Sequence, residues 1–190
     1  MKKITYYSGL LAGSSFLLVT LFGNVMNLAG INSDLFLSFN LALTIIWMVS
    51  LIVFGYQLKS NFKDKLIKLA GISIMFFLLI PFLSIVITLV FPDSSELALK
   101  IVEILAIVDM LLAPILIYKS LKKDSGFKRF SFYAFLLILV GQVFSFILFN
   151  TGVIGVNAQE TILIGLPRDF ALALYYLWIL VLALNLKKLK

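Results

Sequence analysis

The chain has 190 residues, of which 62% are hydrophobic and 13% are charged, and its formal net charge is +7. Soluble domains are roughly 45–50% apolar and about 25% charged, and disordered chains are poor in apolar residues, so both classes are excluded. The absence of Cys excludes disulfides and thiol chemistry, and the absence of His excludes histidine-based catalysis and histidine–metal sites. The composition therefore predicts an integral membrane protein, with no metal and no cofactor.

Six apolar stretches are long enough to cross a bilayer, which takes about 20 residues for a hydrocarbon core of roughly 30 Å. Each is predicted to be a helix, because backbone groups in lipid must be hydrogen-bonded internally. The sequence thus predicts an all-α, polytopic integral membrane protein, a single domain over 1–190 made of a bundle of six transmembrane helices. The approximate spans are 4–30, 35–58, 66–91, 97–118, 130–149 and 169–186.

Span one follows two lysines and is predicted to be a retained helix, because its apolar run is too long for a cleaved signal peptide. Glycines and polar residues recur on one face of this helix, within about 60° at 100° per residue. Such a face is typical of close helix packing, and it also suits one wall of an outward-facing cavity. This glycine seam consists of Gly9, Gly13, Thr20, Gly23, Asn24 and Asn27.

Span four places an acid deep in an apolar helix. Asp109 lies twelve residues after Leu97, which is roughly 18 Å along the helix and near the centre of a bilayer. A central Asp costs about 2.5–3.5 kcal/mol, so its side chain is expected to face protein or water. Gln142 in span five lies at a similar depth and is predicted to be its partner. Asp109, Gln142 and Glu103 therefore form a candidate ligand or ion pathway, and the alternative is a protonated carboxyl that is only hydrogen-bonded inside the bundle.

Charged residues at the outer ends of spans four and six form a predicted outer rim. Glu96 and Lys100 are one turn apart, and Glu103 follows within another turn, so the three are spaced for ion pairs. Arg168 and Asp169 begin span six, where an acid suits a helix N-terminus. The rim residues are interpreted as anchors of the helix ends, and Arg168 is also a candidate contact for an anionic ligand.

The basic residues orient the spans. Fourteen of the 16 lie before span one, between spans two and three or just inside the start of span three, between spans four and five, or after span six. The positive-inside rule makes this side cytoplasmic, which predicts a cell-membrane protein with both termini inside. Nucleic-acid binding is the competing explanation for the charge, and no basic loop carries a recognition motif for it. On the opposite side, the connection over 150–168 is predicted to be a loop because glycine and proline recur in it.

Three functions are compatible with this pattern. A small-molecule or ion transport component ranks first, because it uses the buried acid, the polar residues of the glycine seam and the proline of span four. A non-catalytic accessory, sensory or structural subunit of a membrane complex is the main alternative. A lipid-modifying enzyme ranks last, since the cytoplasmic side has no dense cluster of acids, and no catalytic residue is predicted. The expected partners are the lipid bilayer and either other membrane subunits or a second copy of the chain, with no nucleic acid.

Overall fold

The computed structural model describes residues 2–29, 34–90, 95–121, 126–150 and 158–186. These residues are helical almost throughout, which confirms the all-α class. The helices follow the predicted apolar stretches, with differences in the third and the sixth. The described residues form seven helices: α1 Lys2–Ala29, α2 Asp34–Asn61, α3 Lys65–Phe76, α4 Leu79–Val90, α5 Ser95–Ser120, α6 Gly126–Asn150 and α7 Ala158–Leu184.

The third stretch, 66–91, is two helices rather than the single helix expected. An interruption at Phe77 and Leu78 separates α3 from α4. There the backbone amide of Leu78 donates to the carbonyl oxygen of Met75 at 3.3 Å, three residues earlier, whereas an α-helix would use the residue four earlier. Pro81 has no N–H to donate to the carbonyl oxygen of Phe77, so a single continuous helix would lose one backbone hydrogen bond at this point. The span is predicted from the length of its apolar run, and this length does not show where a proline interrupts the helix.

The helix α7 begins at Ala158, so the prediction of a loop throughout 150–168 is wrong for its second part. Gly165 and Pro167 disfavour a helix by about 1 and about 3 kcal/mol relative to alanine. The residues on both sides of them continue the helix, and the backbone hydrogen bonds of those residues outweigh that cost. The remaining part of the predicted loop, 151–157, lies outside the described residues.

The helices pack in a closed ring. Neighbours around the ring are α1, α2, α3, α5, α6 and α7, and α7 returns to α1, while α4 packs mainly against α5. The largest fully buried side chains, Trp178, Tyr175 and Tyr176, are all on α7. The ring therefore brings together helices that are distant in sequence, in particular α1 with α7 and α3 with α5.

The outer surface of the bundle is apolar. All seven helices expose large hydrophobic side chains, and Leu41, Leu89 and Val140 are 62%, 76% and 62% exposed. Soluble monomers rarely carry such extended apolar patches. In the described part of the chain, two helical stretches are long and apolar enough to cross a membrane, Ser38–Asn61 and Gly126–Ser145. These observations suggest a membrane location.

The first two glycines of the glycine seam lie against α7. A Cβ on Gly9 would be 2.6 Å from the Cβ of Ala183, and a Cβ on Gly13 would be 2.9 Å from the carbonyl oxygen of Tyr176. Both distances are too short for an ordinary side-chain contact, so the absence of a side chain lets α1 and α7 approach. The Thr20 hydroxyl donates within its own helix, to the carbonyl of Phe16 at 3.0 Å. The structure describes only the backbone of Gly23, Asn24 and Asn27, which lies in α1.

Alanine at Gly9 or Gly13 should destabilise the protein by about 1 kcal/mol or slightly more, because the added methyl group overpacks the contact between α1 and α7. The measurement is thermal unfolding in detergent. Gly126→Ala is the matched control, since a Cβ there would meet nothing within 4 Å. Equal melting temperatures for Gly13→Ala and Gly126→Ala would contradict the close approach.

Candidate functional site

Asp109 is buried between α5 and α3, with 8% of its surface exposed. The hydroxyl of Ser73, on α3, lies 2.7 Å from Oδ1 of Asp109 and 3.0 Å from its backbone carbonyl oxygen. Ser73 is itself buried, so the pair ties two helices together away from the surface. This burial agrees with the expectation that the side chain of Asp109 faces protein or water, and its depth in a bilayer stays a prediction. The sequence alone does not single out Ser73, although it belongs to the face of α3 that packs against neighbours.

The hydrogen bonding of Ser73 admits two protonation states of the acid. A serine hydroxyl has one hydrogen and can also accept. If Asp109 is ionised, Ser73 donates to Oδ1, and the backbone carbonyl loses that donor. If Asp109 is neutral, its carboxyl donates to Ser73 Oγ, and the serine hydrogen goes to the carbonyl of Asp109. Both short distances are then hydrogen bonds. The pair can therefore bind a proton, and can release it when the hydrogen bond between Ser73 and the carboxyl of Asp109 reverses its direction.

Two buried oxygen atoms beside this pair have no hydrogen-bond partner in the described part of the chain. They are Oδ2 of Asp109 and the hydroxyl of Tyr175, on α7. The two residues are near enough to interact electrostatically. A buried polar group without a partner costs about 1–3 kcal/mol, so a transient partner would bind there favourably. We call Asp109, Ser73 and Tyr175 the Asp109 site.

Aromatic rings close the Asp109 site toward α1 and α2. Tyr175 packs against Phe77, at the interruption between α3 and α4, with ring centroids 5.4 Å apart. The next residue, Tyr176, stacks on Phe16 of α1 with a centroid distance of 3.7 Å, and meets Trp47 of α2 edge-on at 5.7 Å. The rings contact one another, which agrees with packing rather than with a cage for an organic cation.

A second polar contact on α7 lies toward α6. The indole N–H of Trp178 donates to the hydroxyl of Ser131, at 3.1 Å, and both residues are fully buried. Trp178 also stacks on Tyr175, with ring centroids 5.9 Å apart. This hydrogen bond holds Trp178 against one side of the Tyr175 ring, and it does not involve Asp109.

In the described part of the chain, no other predicted site residue is hydrogen-bonded to the side chain of Asp109. Gln142 is buried on α6, but the described hydrogen bonds of the Asp109 side chain go to Ser73 and not to this amide. Asp169 is half-buried on α7. Pro114 lies inside α5, which continues through it to Ser120. The side chains of Glu96, Lys100, Glu103 and Arg168 lie outside the described residues.

The described residues contain no group of three acidic, His or Cys side chains placed to hold a metal ion. Two cavities are lined by residues outside the Asp109 site. One, of about 430 Å³, lies between α2 and the α3–α4 pair. The other, of about 410 Å³, lies beside Tyr118, Lys128 and Arg129. Asp109 lines neither of them, so its chemistry is that of an enclosed acid.

No protein-family model matches the chain, no curated protein shows significant similarity to it, and no solved structure matches its fold. The function is therefore argued from the chemistry of the Asp109 site and from the surface of the bundle.

Proposed function

We propose that the protein is a multi-pass membrane protein with six spans, in which α3 and α4 together make one crossing and both termini are cytoplasmic. The apolar exterior supports this placement, since lipid would cover the side chains that water would not tolerate. The basic connections support the orientation, because they alternate with the six crossings as the positive-inside rule requires. The closed ring of helices also supports it, since a ring has a protected interior for polar groups.

Within that membrane we propose that the protein is a component of small-molecule or ion transport, with Asp109 as the group that binds a proton or a monovalent cation. One observation carries the proposal: a buried carboxyl has one oxygen bonded to Ser73 and the other oxygen without a partner in the described structure. Ionisable residues at membrane depth are expensive and mark pathways of ions and protons. The reversible bond of Ser73 gives the acid two states that differ in the direction of one hydrogen bond.

The position of Ser73 links those states to the fold. Its carbonyl oxygen accepts the amide hydrogen of Phe77 at 3.0 Å, at the interruption between α3 and α4. The same residue thus bonds the acid through its side chain and ends α3 through its backbone. Gain or loss of a proton at Asp109 would alter the first bond and bias the angle at which α4 leaves α3.

The test is transport by the purified protein in liposomes that contain a pH-sensitive dye. A potassium diffusion potential, inside negative, should drive protons inward faster than in empty liposomes, or should drive uptake of radiolabelled sodium. A rate above that of empty liposomes for either ion supports the proposal. Rates equal to those of empty liposomes for both ions would overturn it.

An accessory subunit is the second candidate, favoured by the separation of Asp109 from both cavities. In that role the acid would be a fixed hydrogen-bonding group, and transport would belong to another chain. Native mass spectrometry of gently purified protein distinguishes the two candidates. A stoichiometric second chain, together with no flux by the isolated protein, would favour the accessory role.

The topology predicts a labelling pattern, and the lack of any natural Cys makes the test free of background. Cysteines at Ser33 and Ser95 should react with a membrane-impermeant maleimide on intact cells, because they lie in outer connections. Cysteines at Ser60 and Gly126, which are exposed in the structure, should react only after the cells are permeabilised. The reverse pattern would contradict the proposed orientation.

A further inference from the structure

An open apolar groove of about 430 Å³ runs along the outside of the bundle, between α2 and the α3–α4 pair. Ile72 and Phe76 on its wall are 39% and 53% exposed, so the groove faces the surroundings and not the interior. Its lining carries no polar side chain. The residues that line it include Met48, Ile52, Ile72, Met75, Phe76 and Leu79.

The groove is the gap that opens where two touching helices diverge. A Cβ on Gly55 would lie 2.6 Å from the carbonyl oxygen of Gly71, so α2 and α3 are in backbone contact at this crossing. Beyond it, α3 ends and the chain turns into α4 at Phe77 and Leu78. The lining residues of α2, α3 and α4 flank the space on this side of α2.

Lysines stand at the closed end of the groove. Gly71 lies against the backbone of Lys59, since a Cβ there would be 2.8 Å from the amide nitrogen of Lys59. Lys68 is one turn before Ile72 on α3, and both lysine side chains are exposed. Tyr56, half exposed and one turn from Ile52, lies between the apolar lining and Lys59.

The two lysines are without carboxylate partners in the described part of the chain. The nearest acid in sequence, Asp64, caps α3 by accepting the amide hydrogen of Leu66 at 2.7 Å. An apolar groove that ends at two exposed cations has the polarity of a phospholipid, whose acyl chain is apolar and whose phosphate is anionic. A second copy of this chain fits poorly, because it would bring its own excess of positive charge, +7, to the same lysines.

We infer that this groove binds one acyl chain of an anionic phospholipid from the cytoplasmic leaflet, with the phosphate between Lys59 and Lys68 and Tyr56 at the level of the glycerol. The inference rests on the proposed membrane placement, but not on transport through Asp109. It assigns a role to Lys59 on α2 and Lys68 on α3 beyond that of orienting the spans.

The test is native mass spectrometry of the detergent-purified full chain with added dioleoylphosphatidylglycerol or dioleoylphosphatidylcholine. The anionic lipid should bind one site at least about tenfold more tightly, as expected for two lysines near a phosphate. Lys59→Gln combined with Lys68→Gln should remove that preference. The matched control is Lys3→Gln combined with Lys119→Gln, which removes the same charge from exposed lysines elsewhere and should keep the preference.

A second pair of variants tests the acyl-chain part of the groove. Ile72→Trp fills the groove and should weaken binding of the anionic lipid, whereas Leu112→Trp, at a residue with 41% exposure on α5, should not. Equal binding of the two lipids, or equal binding by the lysine variants and their control, would overturn the inference. So would a protein segment that copurifies in the groove and excludes the lipid. None of these residues belongs to the Asp109 site, so such a failure would leave the flux test of the transport proposal unaffected.

Discussion

Replacing Asp109 by Asn should abolish proton or sodium flux and leave the melting temperature of the protein nearly unchanged. The asparagine amide can donate to Ser73 Oγ as the neutral carboxyl does, so the serine hydrogen still reaches the backbone carbonyl of residue 109. The amide cannot release a proton or bind a cation as a carboxylate does. The measurements are ion flux in dye-loaded liposomes and thermal unfolding in detergent. Flux of the Asn variant at the wild-type rate would show that Asp109 is not the transported ion's site.

Serine variants separate the role of the acid from that of packing. Ser73→Ala removes the hydrogen-bond partner of Asp109, and should lower both the flux and the stability, the latter by about 1–3 kcal/mol. Ser131→Ala is the matched control, because Ser131 is also buried and hydrogen-bonded, to Trp178 rather than to the acid. It should lower the stability by a similar amount and leave the flux unchanged. A loss of flux in both variants would mean that transport responds to stability and not to the bond at Asp109.

Alanine at Gly55 or Gly71 should be the most destabilising of the glycine substitutions, at about 3 kcal/mol each, which is the upper end for overpacking. A Cβ on Gly71 would lie 2.5 Å from the carbonyl oxygen of Gly55 and 2.8 Å from the amide nitrogen of Lys59. These obstacles are backbone atoms, which move only if α2 and α3 separate. At Gly9, by comparison, the ring of Phe54 is one of the two nearest obstacles, at 2.6 Å, and a side-chain ring can shift.

The double variant of Gly55 and Gly71 should be less destabilised than the sum of the two single variants. Once the first methyl group has pushed the helices apart, the second meets a contact that is already lost, and residues in contact are not additive. Thermal and denaturant unfolding of the two single variants, the double variant and Gly126→Ala measure this. Full additivity would contradict the direct contact between the two glycines.

The sequence predicts helices well here, because long apolar runs have few alternatives to the helix. It also points to Gly9 and Gly13, whose spacing of four residues repeats on one face of a single helix. The crossing of Gly55 and Gly71 escapes the same reasoning, since each helix contributes one glycine and no local spacing marks them. The sequence prediction also misjudged where helices are interrupted. It missed the interruption that precedes Pro81, and it expected one at Gly165 and Pro167, where α7 is continuous.

The candidate site shows where prediction from one sequence stops. The cost of a charge in lipid predicts that Asp109 faces protein or water, and its side chain is buried inside the bundle. Its neighbours depend on which helices touch, and the ring sets α3 beside α5, so that Ser73 rather than Gln142 bonds the acid. The spacing of residues along one helix does not show which other helix packs against it. The outer rim of Glu96, Lys100, Arg168 and Asp169 stays a prediction.

The shortness of α4 has a consequence for the way the bundle opens. Its 12 residues span about 18 Å, and it packs mainly on α5. The neighbouring α3 is held by the Gly55 contact on one side and by the bond to Asp109 on the other. Amide hydrogen exchange should therefore resolve the third predicted span into two cooperative units, with deuterium entering α4 through local opening well before it enters α3. A segment of low local stability next to a tightly held one is where a bundle of this kind would yield first to heat, denaturant or protease.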